Sequence, residues 1–464
     1  MAVSPDRRRL LRSVVLGGAA TLGGCARLLQ PQEVSETTDE RTPTGTATDV
    51  PDETPSVALD PVAEGLGTPT TLAVTEAGDR TYVGTRRGVV HVLGPDGLRD
   101  EPLFDLRDAV MIGGERGLLG IALHPEFADT RRLFVRYSSS PRPGTPDGYS
   151  HTFVLSEFRV SVDGLRAGRN SERPILELPE PHEVHNAGDL AFGPEGYLYV
   201  PTGAGGGVGF GHATDWYDGN LVGNGQDTTE NLLGGVLRLD VDGDPTEPVR
   251  SEGAPQPDGD AGYAIPTDNP LVGRESHRGE YYAWGFRNPW RLSFDGEDCF
   301  VADVGAAKWE SVHAVEAGGN YGWSVTEGTY CYDAEDCPDE TPPSVRGGEP
   351  LLDPVIQYPN DRHLDRPVNG SAAVVGNRYR GSALPDLTGT FLFADWRARG
   401  RLFAATPVGG ELWPTEVVAV EEGQSRLHLV FDVERAGPDE WYVLGFSADG
   451  NGAVSRLVPP GEGV

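Results

Sequence analysis

The 464-residue chain contains almost no lysine: among its 38 basic residues, Lys308 is the one lysine and all the others are arginine. Acidic residues number 71, so the formal net charge is −33 at pH 7. A field of that sign repels nucleic acids and anionic lipid headgroups, which argues against both as partners. An acidic surface with so little lysine predicts a protein adapted to high salt, where screening weakens the repulsion among its own charges. An acidic protein from a GC-rich genome is the alternative.

Long apolar runs and long helical patterns are also scarce, and no stretch is apolar over enough positions to span a bilayer. Glycine (63 residues) and proline (38 residues) are abundant, as is typical of chains with many turns. The length exceeds what one hydrophobic core needs, so one large repeat-built domain and several smaller domains are both open. Together these features favour an all-β chain.

Cysteine is rare as well, with four residues in the chain. Cys25 belongs to the N-terminal leader and Cys299 is solitary, whereas Cys331 and Cys337 lie six positions apart. A disulfide that closes so short a loop contributes roughly 2 kcal/mol on the loop-entropy model. A metal site would need further soft ligands nearby, and the adjacent sequence offers none. We therefore predict a Cys331–Cys337 disulfide, which requires an oxidising compartment.

The N-terminus reads as an export signal followed by a tether. Residues 1–24 place Arg7, Arg8 and Arg9 before a short apolar segment, which is typical of a twin-arginine signal. The run LGGC resembles a lipobox and predicts lipidation of Cys25, with ordinary cleavage beside an incidental cysteine as the alternative. Residues 25–56 are rich in Thr, Glu, Asp and Pro and are predicted to be a disordered tether. We expect a cell-surface protein that is lipid-anchored on the outer face of the cytoplasmic membrane.

Residues 57–460 return repeatedly to one unit, in which two apolar, β-rich segments are joined by a turn. Six copies can be recognised, at residues 71–84, 120–137, 190–200, 292–301, 374–395 and 429–444. One copy buries too little surface alone, so copies must pack against each other. Long, irregular insertions between the copies argue against a solenoid and favour a propeller, whose blades carry variable loops. We predict a six-bladed β-propeller with four-stranded antiparallel blades.

Five motifs within these residues carry a more specific signal. They are GGERGLLGIALHPEF at 113–127, HNAGDLAFGPEGYLY at 185–199, WGFRNPWRL at 284–292, ADVGAAKWE at 302–310 and GNYGW at 319–323. In this order they resemble the glucose/sorbosone dehydrogenase family of soluble sugar dehydrogenases. The resemblance implies a six-bladed propeller that holds pyrroloquinoline quinone (PQQ) and calcium in a cleft over the blade axis. It further implies oxidation of an aldose sugar or related polyol by hydride transfer, with the electrons passed to an acceptor.

The resemblance also assigns roles to single residues. His185 matches the catalytic histidine, and an imidazole suits the removal of a hydroxyl proton. Arg287, with Asn288 beside it, matches residues at the cofactor, where a guanidinium would stabilise a developing oxyanion. Glu115 matches a polar substrate contact. The structural alternatives are a histidine at a blade turn and an arginine that is paired with a blade carboxylate.

Calcium and the cofactor carboxylates receive expected partners in the same way. The resemblance implies that the backbone carbonyls of Gly305 and Ala306 bind calcium, with Glu310 close by. It places Arg380 and Arg399 opposite the carboxylates of PQQ, where local arginines would reverse the field of an acidic protein.

One position departs from the family pattern. Where the family has an aspartate that orients the catalytic histidine, this chain has Ala204, and Asp189 is a candidate replacement. A base without its orienting carboxylate loses tautomer control and basicity, which lowers turnover. The departure therefore favours the second hypothesis, a non-catalytic extracellular propeller that binds a carbohydrate or protein. A calcium-dependent lactonase rests on fold analogy alone and ranks last.

The cysteine pattern gives a direct test. Without reductant, Cys331 and Cys337 should resist alkylation in the denatured chain, because a disulfide leaves no free thiol. Mass spectrometry should show both residues labelled only after reduction, with Cys299 as the internal control that is labelled in either case. Labelling of Cys331 or Cys337 before reduction would contradict the disulfide.

Overall fold

The computed structural model describes residues 54–206, 216–217, 223–244, 262–360 and 366–463. The predicted signal at 1–24, Cys25 and all but the last three residues of the tether lie outside the described residues. Helix in the described chain is limited to one turn, α1 (Phe127–Thr130), and to 3-10 turns at Arg169–Ser171, Pro385–Leu387 and Gly423–Ser425. None of these helices has the length and apolar character that crossing a bilayer requires. The all-β prediction is confirmed.

The first strand, β1 (Ser56–Glu64), pairs with none of the strands that directly follow it. The next strands form a sheet in the order β2-β3-β4-β5, and its members are β2 (Pro69–Val74), β3 (Thr81–Thr85), β4 (Val89–Gly94), β5 (Gly97–Leu98) and β6 (Phe104–Asp105), which pairs with β4. A four-stranded sheet follows, made of β7 (Leu118–Leu123), β8 (Arg132–Ser139), β9 (His151–Arg159) and β10 (Arg173–Glu180).

Two more four-stranded sheets come next along the chain. The first consists of β11 (Ala191–Phe192), β12 (Leu198–Thr202), β13 (Gly235–Leu239) and β14 (Tyr281–Trp284). The second consists of β15 (Pro289–Asp295), β16 (Asp298–Asp303), β17 (Trp309–Val315) and β20 (Ile356–Pro359), which pairs with β17. Between β17 and β20 the chain forms a separate hairpin of β18 (Thr326–Glu327) and β19 (Tyr330–Cys331). Cys331 and Cys337 form a disulfide that closes the loop after this hairpin.

The remaining strands form an eight-stranded sheet in the order β21-β22-β23-β24-β1-β27-β26-β25. They are β21 (Ala373–Arg378), β22 (Phe391–Asp395), β23 (Arg401–Ala405), β24 (Thr415–Val420), β25 (Leu429–Arg435), β26 (Trp441–Phe446) and β27 (Gly452–Val458). Antiparallel pairing of β1 with β27 extends from Ala58 to Glu64, whereas its parallel pairing with β24 covers only Ser56 and Val57. The first strand of the chain therefore lies between β24 and β27 and pairs mainly with β27.

The hydrophobic core lies between neighbouring sheets, because most strands bury apolar side chains on both faces. Buried clusters join Phe134 of β8 to Leu237 of β13, Val236 of β13 to Val301 of β16, Val312 of β17 to Phe393 of β22, and Val83 of β3 to Leu444 of β26. Each sheet thus packs on the next one along the chain, and the last packs on the first. The result is a propeller-like arrangement.

One edge strand of each smaller propeller sheet and both edge strands of the eight-stranded sheet meet around one cavity of about 310 Å³. Its lining comes from β2, β7, β11, β15, β21 and β25. Arg291 of β15 is fully buried beside it and donates hydrogen bonds to the Phe431 carbonyl at 3.0 Å and the Leu119 carbonyl at 3.2 Å. Its guanidinium also pairs with Asp189 at 3.2 Å and bonds the Thr70 carbonyl. One side chain therefore ties several of these strands together.

The six sequence repeats correspond to strand pairs. Each repeat coincides with two neighbouring antiparallel strands, namely β2-β3, β7-β8, β11-β12, β15-β16, β21-β22 and β25-β26. The strands that follow each pair were not predicted individually. Several of them follow long connections, such as those before β9, β13 and β20, which obscure the repeat in the sequence.

The closing strand gives a stability prediction. Leu59 of β1 is 3% exposed and packs in a cluster with side chains of the last strands. Replacing it by alanine should lower the free energy of unfolding by about 2–5 kcal/mol, because a buried cavity replaces apolar contacts. Chemical denaturation should show this as a lower midpoint. The matched variant Leu412→Ala, at a side chain that is 40% exposed, should change the midpoint little; equal effects would show that β1 does not close the fold.

Candidate functional site

Because neighbouring strands run antiparallel, the connections that carry the predicted site residues lie on one side of the molecule, at the same ends of the strands. This side is called an edge below. In each sheet the connection between the second and third strands lies at the same edge as the connection to the next sheet. This edge, called here the cluster edge, holds the β6–β7, β10–β11, β12–β13, β14–β15, β16–β17 and β22–β23 connections. These carry Glu115, His185, Ala204, Arg287 with Asn288, Gly305 with Ala306, and Arg399.

Arg380 does not belong to this group. It lies in the β21–β22 connection at the opposite edge, and its guanidinium bonds Asp295 at 2.7 and 3.1 Å. Asp295 ends β15, a seven-residue strand that begins next to Asn288, so the two edges are separated by about 20 Å. Arg399 lies at the cluster edge, where it donates to Asn369 at 3.2 Å. Of the two arginines expected at the cofactor carboxylates, the structure brings only Arg399 to the edge that carries His185.

The loop that carries His185 is held by hydrogen bonds to its backbone. His185 and Ala187 adopt φ angles of +61° and +59°, an uncommon conformation that needs support from neighbouring groups. Oε2 of Glu115 accepts the N–H groups of His185 at 2.7 Å and Asn186 at 3.3 Å, and also Nδ2 of Asn288 at 3.2 Å. Oδ1 of Asn288 accepts the Ala187 N–H at 2.8 Å. Glu115 and Asn288 thus link three connections by hydrogen bonds, and Glu115 holds the backbone of the His185 loop.

The ring of His185 is fixed in one tautomer. Its Nε2 lies 2.7 Å from Nη2 of Arg287, and a guanidinium can only donate, so Nε2 is the acceptor. Nδ1 therefore carries the proton and donates it to the carbonyl of Gly206 at 3.1 Å. Gly206 has φ +122° and a side chain there would collide with His182, so a glycine allows this carbonyl to approach the ring.

The hydrogen bond to Gly206 shows which group orients the His185 ring in a chain that has Ala204 at the position of the orienting aspartate. Ala204 is fully buried against Gly223, and its N–H donates to the Arg287 carbonyl at 2.8 Å. Asp189, the suggested replacement, contacts Arg291 and the Leu292 N–H instead of the histidine. The Gly206 carbonyl therefore sets the tautomer, in place of the carboxylate that the family pattern contains.

Burial keeps His185 neutral. Desolvation, reinforced by the positive charge of Arg287, lowers the pKa of His185 to about 3. Burial raises the pKa of the neighbouring Asp303 to about 6. The backbone N–H groups of Arg287 at 3.0 Å and Asn288 at 2.6 Å, which donate to its carboxylate, act in the opposite direction and lower the pKa. Asp303 therefore caps the turn that presents Arg287.

The guanidinium of Arg287 forms no ion pair within the described residues, although the buried carboxyl groups of Glu115, Asp303 and Glu310 lie in its field. Its Nη1 donates to the carbonyls of Val304 at 2.8 Å and Gly305 at 2.9 Å, and its guanidinium lies 5.5 Å from the ring centroid of Trp323. Its buried Nε has no hydrogen-bond partner. An unneutralised guanidinium next to a neutral imidazole can hold an anionic or electron-accepting group while the imidazole receives a proton.

Two buried carboxylates hold the β16–β17 connection. Glu310, fully buried, accepts the Gly305 N–H at 3.0 Å on Oε2 and Nδ2 of Asn360 at 3.2 Å on Oε1. Burial and the charge of Asp395 raise the pKa of Glu310 well above its usual range. Oε1 of Glu327 accepts four consecutive backbone N–H groups, those of residues 306–309, at 2.7–3.3 Å. Nowhere in the described chain do three or more His, Cys, Asp or Glu side chains form a metal-binding group.

Sequence reasoning missed Glu327, Asn360 and the Gly206 carbonyl. Glu327 and Asn360 are distant in sequence from the loop they support, and neither belongs to one of the five motifs. The role of Gly206 depends on a backbone atom, which no residue pattern specifies. The sequence around these positions offers no shared signal that could have identified them.

Comparison with known proteins assigns the chain to a family. The family model for "Glucose / Sorbosone dehydrogenase" matches residues 66–258 and 256–400. The chain belongs to the glucose/sorbosone dehydrogenase family. The resemblance drawn from the five motifs is thereby confirmed.

The curated relatives of the chain differ in their names. The chain is 32% identical over 401 residues to the HIPL2 protein of Arabidopsis thaliana, covering 78% of this chain and 54% of that protein. It is 29% identical over 246 residues to Hedgehog-interacting protein of Mus musculus, covering 50% and 31%. The chain spans about half the length, or less, of these curated relatives.

Among solved structures, the PQQ-bound form of the aldose sugar dehydrogenase from Streptomyces coelicolor has a similar fold. The TM-score is 0.60 at 23% sequence identity, and the match covers 87% of this chain and 98% of that one. At this identity the likeness concerns the fold.

The support of the His185 loop by Glu115 can be tested. Glu115→Leu should lower the free energy of unfolding by at least about 2 kcal/mol, because it leaves the N–H groups of His185 and Asn186 without an acceptor in a buried site. Glu115→Gln keeps an acceptor oxygen and should lose less. Denaturant titration of both variants measures the difference, and equal losses would mean that the hydrogen bonds to Glu115 do not hold the loop.

Proposed function

We propose that this protein oxidises an aldose sugar or related polyol with PQQ and calcium, by hydride transfer to the quinone. The observation that carries the proposal is the contact between Nε2 of His185, an acceptor by necessity, and the unneutralised guanidinium of Arg287. Membership of the glucose/sorbosone dehydrogenase family supports the same reaction class.

The fit of PQQ rests on the chemistry of Arg287. No carboxylate in the described chain forms an ion pair with its guanidinium, and its buried Nε has no hydrogen-bond partner, so an anionic ligand would supply a direct counter-charge. Arg399 lies at the same edge and would supply a second cation. Arg380 is left out of the proposal because it lies at the opposite edge.

The fit of calcium rests on two carbonyl oxygens. Those of Val304 and Gly305 converge on one cationic nitrogen of Arg287, so their dipoles are already arranged to solvate a positive charge. Calcium prefers such hard oxygen ligands. The carbonyls of Gly305 and Ala306 would hold the ion, and Glu310 lies behind them.

In this reaction PQQ would accept the hydride with its electron pair, and calcium would polarise the accepting carbonyl. Nε2 of His185 receives the hydroxyl proton as the carbon loses its hydride, so the sugar is oxidised by two electrons. Because its pKa is about 3, His185 is a weak base that gains the proton only as the C–H bond breaks. Arg287 leaves Nε2 to admit the hydroxyl group and stabilises negative charge that develops nearby.

The blade count and the cellular location that the sequence predicts are also part of this proposal. Six edge strands around one cavity, together with the short contact between β1 and β24, support six blades, with the eight-stranded sheet counted as two. An exported, lipid-anchored protein would meet its sugar and its electron acceptor outside the cytoplasm.

A second candidate is a binding propeller without turnover. The lowered pKa of His185 and the alanine at position 204 favour it, since both weaken the catalytic base. The relatives point the same way, because one of them is named for interaction with Hedgehog. Under this hypothesis the loops of the cluster edge would bind a carbohydrate or protein partner.

Dye-linked oxidation of a panel of sugars, in high salt with calcium and with or without added PQQ, separates the two hypotheses. We expect turnover only when PQQ and calcium are both present. His185→Ala should reduce kcat at least a hundredfold, because the proton acceptor is lost, while PQQ and calcium still raise the melting temperature.

Arg380→Ala is the matched control at the opposite edge and should leave turnover unchanged. Undiminished activity in His185→Ala would show that another group is the base. No turnover with any sugar, and no rise in melting temperature with PQQ, would reject the oxidation and favour the binding propeller.

A further inference from the structure

Two buried carboxylates determine which way the peptide groups of residues 304–306 point. In a planar trans peptide, the N–H and the C=O of one unit point in opposite directions. The Gly305 N–H points to Glu310, so the Val304 carbonyl of the same unit points away from Glu310. The N–H groups of Ala306 and Ala307 point to Glu327, so the carbonyls of Gly305 and Ala306 point away from Glu327. The Val304 and Gly305 carbonyls meet at Nη1 of Arg287.

The Glu327 carboxylate fills a concavity of backbone N–H groups. Four successive N–H groups, from residues 306–309, converge on its Oε1, as in the nests that bind free anions in other proteins. Glu327 is buried, so these bonds are shielded from water. The anion that this nest binds is therefore the Glu327 side chain of the protein itself. The carbonyl oxygen atoms of the loop lie on its opposite side.

The loop also lacks space for another arrangement. A Cβ at Gly305 would lie 1.6 Å from the Trp309 carbonyl, so the backbone turns back closely on itself at this residue. The hairpin that carries Glu327 is followed by the Cys331–Cys337 disulfide. The position of the carboxylate therefore depends on a separately closed element outside the β16–β17 connection.

We infer that Glu327 is a positioning residue for cation binding: by holding the N–H groups of residues 306–309, it turns the carbonyls of residues 305 and 306 toward a bound calcium ion. The inference rests on the proposed function for the identity of the cation. Glu327 touches neither substrate nor cofactor and acts through the backbone of the loop. Loss of such a supporting contact typically weakens metal binding about 10- to 100-fold.

Calorimetric titration with calcium alone, in high salt to suppress binding to the acidic surface, tests the role. Glu327→Gln should bind calcium about 10- to 100-fold more weakly than the unaltered chain. Glu335→Gln, an exposed glutamate in the disulfide loop of the same hairpin, removes the same charge and should bind normally. Circular dichroism and thermal melting establish that each variant is folded.

Glu327→Asp separates orientation from charge and carries the test if Glu327→Gln does not fold. It keeps the charge but withdraws the oxygen from the N–H groups by one methylene, so calcium binding should also weaken. Normal affinity in Glu327→Asp would show that only the charge matters and would overturn the inference, as would normal affinity in folded Glu327→Gln. Calcium binding that depends on Glu327 in a chain that oxidises no sugar would sustain the inference and reject the proposed oxidation. An unaltered chain that binds no calcium would overturn both.

Discussion

The pairing of β1 with β27 joins residues from opposite ends of the described chain, such as Ala58 and Val458. Without β1, the eight-stranded sheet would be divided, and β24 and β27 would each have an unpaired edge with exposed N–H and C=O groups. The closed arrangement also brings β2 and β25 to the axis, where the Thr70 and Phe431 carbonyls bond Arg291. Burial of that arginine is tolerated because these carbonyls and Asp189 satisfy it. The arrangement of the cluster-edge loops depends on this closure, because the loops come from different sheets that are brought together only in the closed arrangement.

The site uses its buried carboxylates in an unusual way for so acidic a protein. Glu115, Asp303, Glu310 and Glu327 all accept backbone N–H groups of the cluster-edge loops. None of them forms an ion pair with Arg287, although the chain carries a net charge of −33. Carboxylates thus fix the loops while the guanidinium keeps its charge for a ligand. The same atoms that stabilise the backbone conformation therefore set the electrostatics of the site.

His185 illustrates how a backbone atom can replace a side chain. The Gly206 carbonyl selects the tautomer in which Nε2 is unprotonated and accepts from Arg287, as a carboxylate would, but it carries no full negative charge. It orients the ring and raises its pKa, but burial and the charge of Arg287 lower the pKa by more and leave it at about 3. The ring is thus held in the tautomer that a base needs while its basicity is low. That combination is the physical reason why oxidation and binding without turnover are both proposed for this protein.

The sequence by itself determined the all-β class, the six strand pairs and the family, because strand alternation and contiguous motifs are local properties of the chain. It also identified His185, Arg287, Asn288 and the loop at 305–310 as candidates. It could not place Arg380, whose edge depends on strand direction, or find Glu327, whose partners are backbone N–H groups of a distant loop. Only the tertiary structure decided that His185 and Arg287, 102 positions apart, meet at 2.7 Å, and that a carbonyl replaces the missing aspartate. Those contacts depend on the closure of the sheets around a common axis, which no local pattern encodes.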